Sequence, residues 1–347
     1  MTAVIQNQSA YAGQSVSISL ILPVRNRQDF TAAILQQLAQ QGAEQTDSQV
    51  AAIQVVVVDD GSSDGTADLI RHRFPWVHLL QGDGSLWWTG AIATGMNYAV
   101  QQLSADYLVW LNDDIAIADD FIPQLIAQCQ RTSPDQKVIT GGIIREVTHP
   151  DWIVFGGVIA SQQINDICQF ADRSILKVDT LNGNIAVMPA QIVSDVGLPD
   201  TERFRHYGGD YEYVCRAKAA GYQVQLSRLL QATTAYTPAD VKRYMPLWIQ
   251  WYVSSTLADK WSVLQNLTSR KSPHNVEHMV NSIYRSVPHV PRWKYVAFYV
   301  RKLIKILGSM LVPTAIRRDR IDAYLKHHRV PADVAQGLLK QRESFTS

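Results

Sequence analysis

The sequence predicts an α/β protein with a mostly parallel central sheet and helices on both of its faces. Apolar runs of strand length alternate with helical patterns through the first third of the chain, which is the order typical of parallel sheets. The runs are apolar at consecutive positions, as in strands buried on both faces. Each run ends on polar residues, and this arrangement predicts one ligand crevice at the carboxyl ends of the strands.

The composition limits the class of protein. Of the 347 residues, 46% are hydrophobic, so the chain can bury a full core in one large domain with an appendage, or in two domains. The formal charge of +1 gives no general attraction to nucleic acid, and no nucleic-acid partner is expected. The three cysteines are widely spaced without a metal-ligand pattern, which is typical of reduced thiols in a cytoplasmic protein.

Residues 1–15 are expected to form a flexible arm. This segment is polar and lacks the basic and then apolar pattern of a signal peptide. No run of 18 uncharged apolar residues occurs in the sequence, so no segment is expected to cross a membrane by itself. The predicted localisation is cytoplasmic, either in solution or at the inner face of the plasma membrane.

The first strand–helix unit consists of Val16–Val24 and a helix over 30–41, with a turn that contains Asn26 between them. Neither G-x-G-x-x-G nor G-x-x-x-x-G-K-[ST] occurs in this region. The sequence therefore lacks the glycine-rich loop of dinucleotide-binding folds and the P-loop in this region. A bound nucleotide would have to be contacted by other residues.

A second buried strand, over 53–58, ends in two carboxylates. Asp59 and Asp60 close this strand, and Asp64 follows in a turn rich in Gly and Ser. A carboxylate at a strand end can accept a hydrogen bond from the ring N–H of a pyrimidine or from a ribose hydroxyl. A helix over 67–74 comes next, so Asp64 has the alternative role of capping that helix.

The strand over 107–111 is the centre of the predicted sheet. It follows a short strand and a helix over 90–103, and it stops abruptly at Asn112, Asp113 and Asp114. Two adjacent acids repel each other unless a cation or hydrogen-bond donors compensate them, and a divalent metal is the obvious candidate. The alternative is a turn in which these residues cap the next helix.

The later part of the first domain is predicted to add a helix, further strands and one more acidic motif. The helix covers 121–129, and strands over 137–144, 152–160 and 180–188 are expected to form a mixed region. Asp210 is expected at the N-terminus of a helix that includes 217–222, where an acid is stabilised by the helix dipole and is by itself an ordinary N-cap. Glu212 and Arg216 are four residues apart and are expected to form an ion pair.

Four segments together resemble a family 2 glycosyltransferase of the GT-A fold, and most of all its rhamnosyltransferase-like branch. They are VVVVDDGSSDGT, GDGSLWWTGAIATGMNYAV, LNDD and HYGGDYEYVCRAKAAGY. The resemblance covers roughly residues 16–230, and the four motifs stand in the family's order. It implies a GT-A domain over 16–236 that binds a nucleotide-sugar donor.

The resemblance implies roles for the acids. Asp59 matches the family acid that contacts the uracil or thymine base, with Asp60 and Asp64 beside the nucleoside. Asn112-Asp113-Asp114 matches the D-x-D position, with Asn112 in place of the first acid. Asp114 is then the metal ligand, and Mg²⁺ or Mn²⁺ is the expected cofactor, which neutralises the departing diphosphate.

Further residues are assigned to the nucleotide-sugar site by the same resemblance. Residues 82–97 match the part of the family that lies under the sugar and diphosphate, and 181–184 matches the border of the donor sugar. Trp87 and Trp88 have core packing as their alternative role, and 181–184 can also be a plain tight turn. The nucleotide-sugar assignments made from these segments and from the end of the first strand are Pro23, Asn26, Trp87, Trp88, Gly90, Asn97, Asn182 and Gly183.

Asp210 matches the family's general base, which takes the proton of the acceptor hydroxyl. Gly209 stands where the family usually has Glu, so Asp210 is the only acid in reach before Glu212. His206 is assigned to diphosphate or acceptor contact, with an ordinary exposed loop histidine as the alternative. Residues 233–237 lack the late histidine that the family often supplies to the metal, which weakens the expectation of metal binding.

Residues 237–347 are predicted to form a helical C-terminal extension. The segment 291–312 is apolar, aromatic and basic together. Such a helix can lie in a membrane interface as a peripheral contact, or it can pack on the catalytic domain or on a second subunit.

The function expected from this reading is an inverting, metal-assisted hexosyl transfer. The sugar, plausibly rhamnose, would pass from a dTDP or UDP donor to a hydroxyl of a cell-surface polysaccharide or of a polyprenyl-linked glycan. A catalytically silent glycan- or nucleotide-binding subunit is the alternative from another class. A sugar-1-phosphate nucleotidyltransferase is disfavoured, because residues 24–27 have arginines without the glycine-rich loop of that class.

Overall fold

A computed structural model describes residues 15–44, 51–285, 287 and 289–343. The predicted amino-terminal arm, apart from residue 15, lies outside the described residues. The described residues divide into two compact units. The first comprises those up to 145 together with 153–201 and 209–234, and the second comprises 146–152, 202–208 and those from 235 onward.

The strands confirm the predicted α/β class with a central sheet. They are β1 (Val16–Val24), β2 (Ala51–Asp59), β3 (His78–Gln81), β4 (Tyr107–Leu111), β5 (Ala116–Ile117), β6 (Val138–Glu146), β7 (Ile153–Phe155), β8 (Gly157–Ile159), β9 (Gln162–Gln163), β10 (Ile175–Lys177), β11 (Thr180–Leu181), β12 (Ile185–Pro189) and β13 (Gln223–Thr234).

The main sheet has the strand order β10-β13-β6-β12-β4-β1-β2-β3, with β5 paired to β13 and β7 paired to β6. Its first four strands in sequence are mutually parallel, as predicted. Beyond β4 the pairing becomes antiparallel, because β12 runs against both β4 and β6. The predicted strand over 152–160 is divided at Gly156: β7 joins the main sheet, and β8 joins a small sheet with β9 and β11.

The helices of the first unit are α1 (Gln28–Gln40), α2 (Thr66–Arg73), α3 (Trp87–Gln102), α4 (Phe121–Arg131), α5 (Ile192–Val196) and α6 (Gly209–Ala219). A short 3₁₀ turn covers Ile167–Phe170. Helix α6 begins at Gly209, so Asp210 lies in its first turn, next to the N-terminal position expected for it, and the helix ends at Ala219 rather than at 222. Helix α3 begins three residues earlier than expected, at Trp87.

The core of the first unit lies on both faces of the sheet. Leu20 and Leu22 of β1 belong to one buried apolar cluster, and Ile21 between them belongs to another, together with Trp110 of β4. Successive side chains of a strand point to opposite faces. The consecutive apolar residues that predicted these strands are therefore the ones that fill the two layers between sheet and helices.

The second unit is helical. Its helices are α7 (Pro238–Tyr244), α8 (Leu247–Val253), α9 (Leu257–Gln265), α10 (Val276–Ile283), α11 (Arg292–Met310), α12 (Thr314–His327) and α13 (Ala332–Glu343). Leu247, Leu267, Val280 and Ile306 are among the residues of its buried apolar core. Within the ranges that the structure describes, no helix has both the length and the apolar character needed to cross a bilayer.

Candidate functional site

The carboxyl ends of β1, β2 and β4 lie side by side at one edge of the sheet. Val24 pairs in register with Asp59, and Ile21 pairs with Trp110. Strand β1 therefore separates Asp59 from the turn that begins at Asn112 by two strand spacings, which is roughly 10 Å. The polar strand ends that the sequence predicted to share one edge do so.

Asp59 is a buried carboxylate in which one oxygen accepts a hydrogen bond and the other does not. The backbone N–H of Ser62 donates to its Oδ1 at 3.0 Å. Its Oδ2 is buried and has no hydrogen-bond partner among the described residues. A buried polar atom without a partner is costly. The ring N–H of a pyrimidine base is the kind of donor that would complete this carboxylate.

Asp60 holds the loop that leads into α3. Its Oδ1 accepts hydrogen bonds from the backbone N–H of Gly84 at 2.9 Å and of Leu86 at 3.1 Å, and its Oδ2 accepts from the N–H of Trp87 at 2.8 Å. Arg25 approaches Oδ2 to 3.6 Å. Trp87 has a φ of 59°, which is rare for a bulky residue. Asp60 therefore stabilises a strained loop through its own oxygens.

Asn26 and Asp64 stabilise the turn after β2. The Asn26 side-chain oxygen accepts from the backbone N–H of Ser63 at 2.7 Å. Asp64 accepts from the backbone N–H of Gln28 at 3.0 Å and from that of Thr66, the first residue of α2, at 3.1 Å. Although burial opposes ionisation, these hydrogen bonds hold the pKa of Asp64 below its ordinary value. The geometry agrees with the capping role that the sequence left open for Asp64.

The two acids after β4 share one arginine. Arg27 lies 3.0 Å from Asp113 through Nε and 3.0 Å from Asp114 through Nη2. Thr31 of α1 also donates to Asp113, at 3.1 Å. The repulsion that the sequence predicted between adjacent carboxylates is thus compensated by a guanidinium and a hydroxyl.

The environments of the two acids differ. The Asp113 side chain is 3% exposed, whereas that of Asp114 is 45% exposed. Burial raises the pKa of Asp113 to about 7, Arg27 opposes this shift, and the charge of Asp114 adds to it. Asp114 is therefore the member of the pair that remains open to a ligand from solution.

A divalent cation at the end of β4 would have one exposed carboxylate, Asp114, as its protein ligand, and Nη2 of Arg27 already lies 3.0 Å from that carboxylate. Mg²⁺ and Mn²⁺ prefer oxygen ligands and keep water or phosphate oxygens in their remaining positions. Within residues 15–44, 51–285, 287 and 289–343, no group of three or more His, Cys, Asp or Glu side chains could hold a metal ion. The end of β13 also faces this turn, since the Thr234 hydroxyl donates to the backbone carbonyl of Asp114 at 3.1 Å.

A series of contacts connects this turn to the acidic residue of α6. The Trp88 indole N–H donates to Oδ1 of Asn112 at 2.9 Å. Gly183 packs on the same indole, since a Cβ at Gly183 would lie 2.5 Å from its ring. The backbone N–H of Gly183 donates to Oδ2 of Asp210 at 2.9 Å. Three motifs that are distant in the sequence therefore meet at one place.

Two backbone N–H groups hold the carboxylate of Asp210. The backbone N–H of Tyr211 donates to its Oδ1 at 2.9 Å, and that of Gly183 to its Oδ2. Burial nevertheless raises the pKa of Asp210 above its ordinary value. A raised pKa increases the proton affinity of the ionised carboxylate, which suits general-base catalysis.

Gly209 is fixed by close packing. A Cβ at this position would lie 2.4 Å from the Thr89 hydroxyl of α3. A glutamate cannot occupy this position unless Thr89 moves or is replaced. The departure from the family pattern therefore has a local steric cause.

The ion pair predicted after Asp210 is present. Arg216 Nε lies 2.8 Å from Glu212 Oε1, and its Nη2 also donates to the backbone carbonyl of Leu198 at 3.1 Å. This arginine thus connects α6 to the chain that follows α5.

The remaining predicted site residues of the first unit differ in their placement. Gly90 is buried in the first turns of α3, and Pro23 is the next-to-last residue of β1. The side-chain amide of Asn182 donates to the carbonyl of Gly156 at 2.6 Å. Asn97 is exposed on α3, ten residues after its start, which is about 15 Å along the helix. The structure therefore does not bring Asn97 to the strand ends.

His206 belongs to the second unit. Its ring packs edge-on against Tyr207, with ring centroids 4.7 Å apart. With Arg205, Arg270 and His278 it lines a small cavity of about 70 Å³. The structure thus assigns it to a different compact unit from the other predicted site residues.

Sequence reasoning missed several residues at the strand ends. Arg27 and Thr31, neither of which was assigned to the site, compensate Asp113. Asn184 lies in the segment 181–184 that was placed at the donor sugar, but its contact was not foreseen: its side chain accepts from the amide of Asn112 at 2.5 Å. Arg27 is far from Asp113 in the sequence, so no local pattern connects them. The polar residues directly after β1 were the available signal, because that strand end lies beside the other two.

A larger cavity lies elsewhere. Its volume is about 630 Å³, and polar residues such as Gln128, Arg131, Lys137 and Gln223 line it. Lys137 precedes the first residue of β6, and β6 runs parallel to β4 because both oppose β12. This cavity therefore lies at the amino-terminal edge of the strands and contains none of the predicted site residues.

Comparison with known proteins finds similarity over the first part of the chain. The family model described as Glycosyl transferase family 2 matches residues 19–163. Poly-beta-1,6-N-acetyl-D-glucosamine synthase of Staphylococcus epidermidis is 26% identical over 157 residues, and the match covers 43% of this chain and 35% of the relative. The same synthase of Staphylococcus aureus strain COL has the same identity and coverage. The chain thus spans about a third of the length of the curated relatives it matches.

Among solved structures, that of GalNAc-T7 with UDP, GalNAc and Mn²⁺ aligns with a TM-score of 0.50 at 13% identity, over 83% of this chain and 54% of the other. This likeness concerns the fold alone. The resemblance to family 2 glycosyltransferases and the GT-A fold are thereby confirmed, and the rhamnosyltransferase-like branch stays a prediction.

Proposed function

We propose that this protein is an inverting glycosyltransferase that moves a sugar from a dTDP or UDP donor to a hydroxyl of a glycan. The observation that carries the proposal is the series of contacts from Asn112 through Trp88 and Gly183 to Asp210. It puts a carboxylate with a raised pKa beside the turn that carries Asp114. A displacement at a sugar carbon needs a base, a positioned donor and a stabilised leaving group in one place.

At the end of the site that would bind the nucleotide sugar, Asp59 is the residue that recognises the nucleobase. Its buried Oδ2 has no partner among the described residues and can accept the ring N–H of uracil or thymine. Cytosine has no N–H at that ring position, and this difference favours UDP and dTDP over CDP. Asp60, Asp64 and Asn26 act indirectly, because their oxygens hold the surrounding turns.

The leaving-group end has Asp114 as the ligand of Mg²⁺ or Mn²⁺. Bound there, the cation would neutralise the charge that develops on the departing diphosphate. Arg27 is a positioning residue in this arrangement, since it neutralises the buried Asp113 and fixes the direction of Asp114. The GalNAc-T7 structure, solved with UDP and Mn²⁺, supports a donor and a cation of this kind.

The acceptor end has Asp210. In the proposed step the acceptor oxygen forms a bond to the anomeric carbon as the bond from that carbon to the diphosphate oxygen breaks. Asp210 takes the hydroxyl proton, and the electron pair of the broken bond leaves with the diphosphate. Attack from the face opposite the leaving group inverts the anomeric configuration, and the N–H groups of Gly183 and Tyr211 hold the base in place.

The acceptor we propose is a cell-surface polysaccharide or a polyprenyl-linked glycan, reached from the cytoplasmic side. The curated relatives, named as poly-beta-1,6-N-acetyl-D-glucosamine synthases, support polysaccharide synthesis in general. Rhamnose as the sugar rests on the motif resemblance alone.

Thermal stabilisation by nucleotides tests this proposal. The protein is heated with UDP, dTDP, GDP or CDP, each with and without Mn²⁺, and a ligand that binds the native state raises the melting temperature. We expect a metal-dependent rise with UDP or dTDP and a smaller one with GDP or CDP. The absence of any rise would reject the donor site.

Turnover separates an enzyme from a silent subunit. Donor hydrolysis or transfer with UDP- and dTDP-sugars should depend on Asp210, whereas a silent glycan-binding subunit would bind the nucleotide without turnover. Gly209 in place of the family's usual glutamate and the missing late histidine at 233–237 support the silent subunit, so turnover is the measurement that decides between the two.

A further inference from the structure

Helix α11 of the second unit has two apolar faces. One face packs into the core of this unit, where Ile306 is buried and Tyr295, Tyr299 and Leu303 contact the same cluster. Tyr295 also donates a hydrogen bond to the side chain of Asn281 on α10, at 2.7 Å. The inward face therefore accounts for the folding of this helix, and it leaves the second apolar face unexplained.

The second face is exposed. Its side chains recur every three or four residues, so they form one continuous stripe along the helix. The stripe extends for about 28 Å along 19 residues. Its members, which are 44% to 88% exposed, are Trp293, Val296, Val300, Ile304, Leu307 and Leu311. A contiguous apolar stripe of this size marks an interaction surface.

The chain segment that carries this stripe has charges of one sign. Between Glu277 and Asp319 the sequence has no acidic residue, and it has eight Lys or Arg residues, although the whole chain carries only +1. Arg301 and Lys305 are exposed and lie one turn apart along one edge of the stripe. Trp293 lies at the amino-terminal end of the stripe, and a tryptophan is favoured where apolar and polar media meet.

We propose that the exposed stripe of α11 docks on an anionic lipid surface. Its apolar side chains would enter the acyl boundary, while Arg301 and Lys305 would meet the phosphate groups. The five cationic residues within α11 suit a helix that lies in the interface plane. A second copy of the same stripe is disfavoured as the partner, because pairing would bring two acid-free, basic segments together.

This proposal does not depend on the proposed catalytic activity, because lipid binding and sugar transfer have separate readouts. If both hold, the stripe keeps the enzyme at the surface where a polyprenyl-linked acceptor resides.

Vesicle flotation with the full chain tests the proposal. The vesicles are made of phosphatidylcholine alone or of phosphatidylcholine with phosphatidylglycerol. The protein should float with the anionic vesicles, remain unbound with the neutral ones and be released by salt. The double substitution Ile304→Gln and Leu307→Gln should weaken binding by about tenfold or more, and Arg301→Gln with Lys305→Gln should weaken binding to anionic vesicles.

The matched control is Val147→Gln, because Val147 is 57% exposed, as is Leu307, and lies outside α11. It should float as the wild type does, and the melting temperature of every variant should match that of the wild type, since all these side chains are exposed. Absence of flotation of the wild type, or unchanged flotation of the Ile304→Gln and Leu307→Gln variant, would overturn the proposal. Concentration-dependent self-association that this variant abolishes, without vesicle binding, would overturn it in favour of a contact between copies.

Discussion

The Nε atom of Arg27 lies 3.0 Å from Oδ1 of Asp113, a carboxylate that is almost completely buried. The same guanidinium reaches the exposed Asp114. One side chain from the loop after β1 therefore satisfies the buried acid and orients the open one. The metal-binding role proposed for Asp114 depends on this arrangement, because an unpaired Asp113 would compete for any cation that enters the turn.

Replacing Arg27 should therefore affect both stability and metal dependence. Arg27→Ala leaves a buried carboxylate without its partner, which should lower the free energy of unfolding by about 1–3 kcal/mol. Arg27→Lys keeps the positive charge, so its free energy of unfolding should fall by less than that of Arg27→Ala. Urea denaturation measures the first effect, and the Mn²⁺ concentration that gives half-maximal nucleotide stabilisation measures the second. Equal stability of all three proteins would show that the ion pair contributes nothing.

Replacing Asp210 should stop turnover without weakening donor binding. Asp210→Asn removes the proton acceptor, and the rate of transfer should fall by about 10²–10⁴, while stabilisation by UDP or dTDP stays at the wild-type level. The base acts only when ionised, and burial raises its pKa. The transfer rate should therefore rise with pH through a pKa above the ordinary value of an aspartate. The ascending part of the pH–rate profile of the wild type would give this pKa. Full turnover of the variant would exclude Asp210 as the base.

Replacing Asp59 should weaken nucleotide binding. Asp59→Asn replaces a charged acceptor by an amide, and the loss of a hydrogen bond to a charged group should reduce affinity by about 10- to 100-fold. Isothermal titration with UDP and dTDP measures this loss. Asn97→Ala serves as the comparison, because the structure puts Asn97 on an exposed part of α3. Comparable losses in both variants would mean that the donor extends much further along α3 than the strand ends indicate.

Replacing Gly183 should disturb the contacts that this residue makes with the Trp88 ring and with Asp210. In Gly183→Ala the added methyl would lie 2.5 Å from the indole, which should lower the free energy of unfolding by about 1–3 kcal/mol and also reduce turnover. Gly308→Ala is the control, because nothing lies within 4 Å of a Cβ there. Since Gly308 is inside α11, this change should stabilise by about 0.5–1 kcal/mol. Thermal melts and rate measurements would show whether the two glycines behave differently.

The sequence was sufficient for β1, β2 and β4 and their polar ends, because a strand buried on both faces has a recognisable apolar run. The short strands β5, β9 and β10 have no such run and were not predicted. The positions of Asp59 and Asn112 follow directly from those runs and from parallel pairing. The orientation of each polar side chain does not follow, because it depends on loops from other parts of the chain. Asp60 illustrates this: only the structure shows that three N–H groups of the loop before α3 use its oxygens.

Helix limits and long-range pairing were the other sources of error. The start of α6 was located to about one residue, because Asp210 was expected at the N-terminus of this helix, whereas its end at Ala219 falls before the predicted Tyr222. The pairing of Arg27 with Asp113 depends on the adjacency of β1 and β4, which the motifs alone do not specify. The assignment of His206 to the second unit likewise could not be read from its nearness to Asp210 in the sequence.

The close approach of Gly209 to Thr89 has an evolutionary consequence. Glutamate at position 209 requires a displacement of the buried Thr89 side chain or its exchange for a smaller residue, because the first added carbon would lie 2.4 Å from the hydroxyl oxygen. Exchange of the threonine alone would leave a void between α3 and α6 until the second change fills it. The two positions should therefore show epistasis, with each tolerated state separated from the other by an unfavourable intermediate.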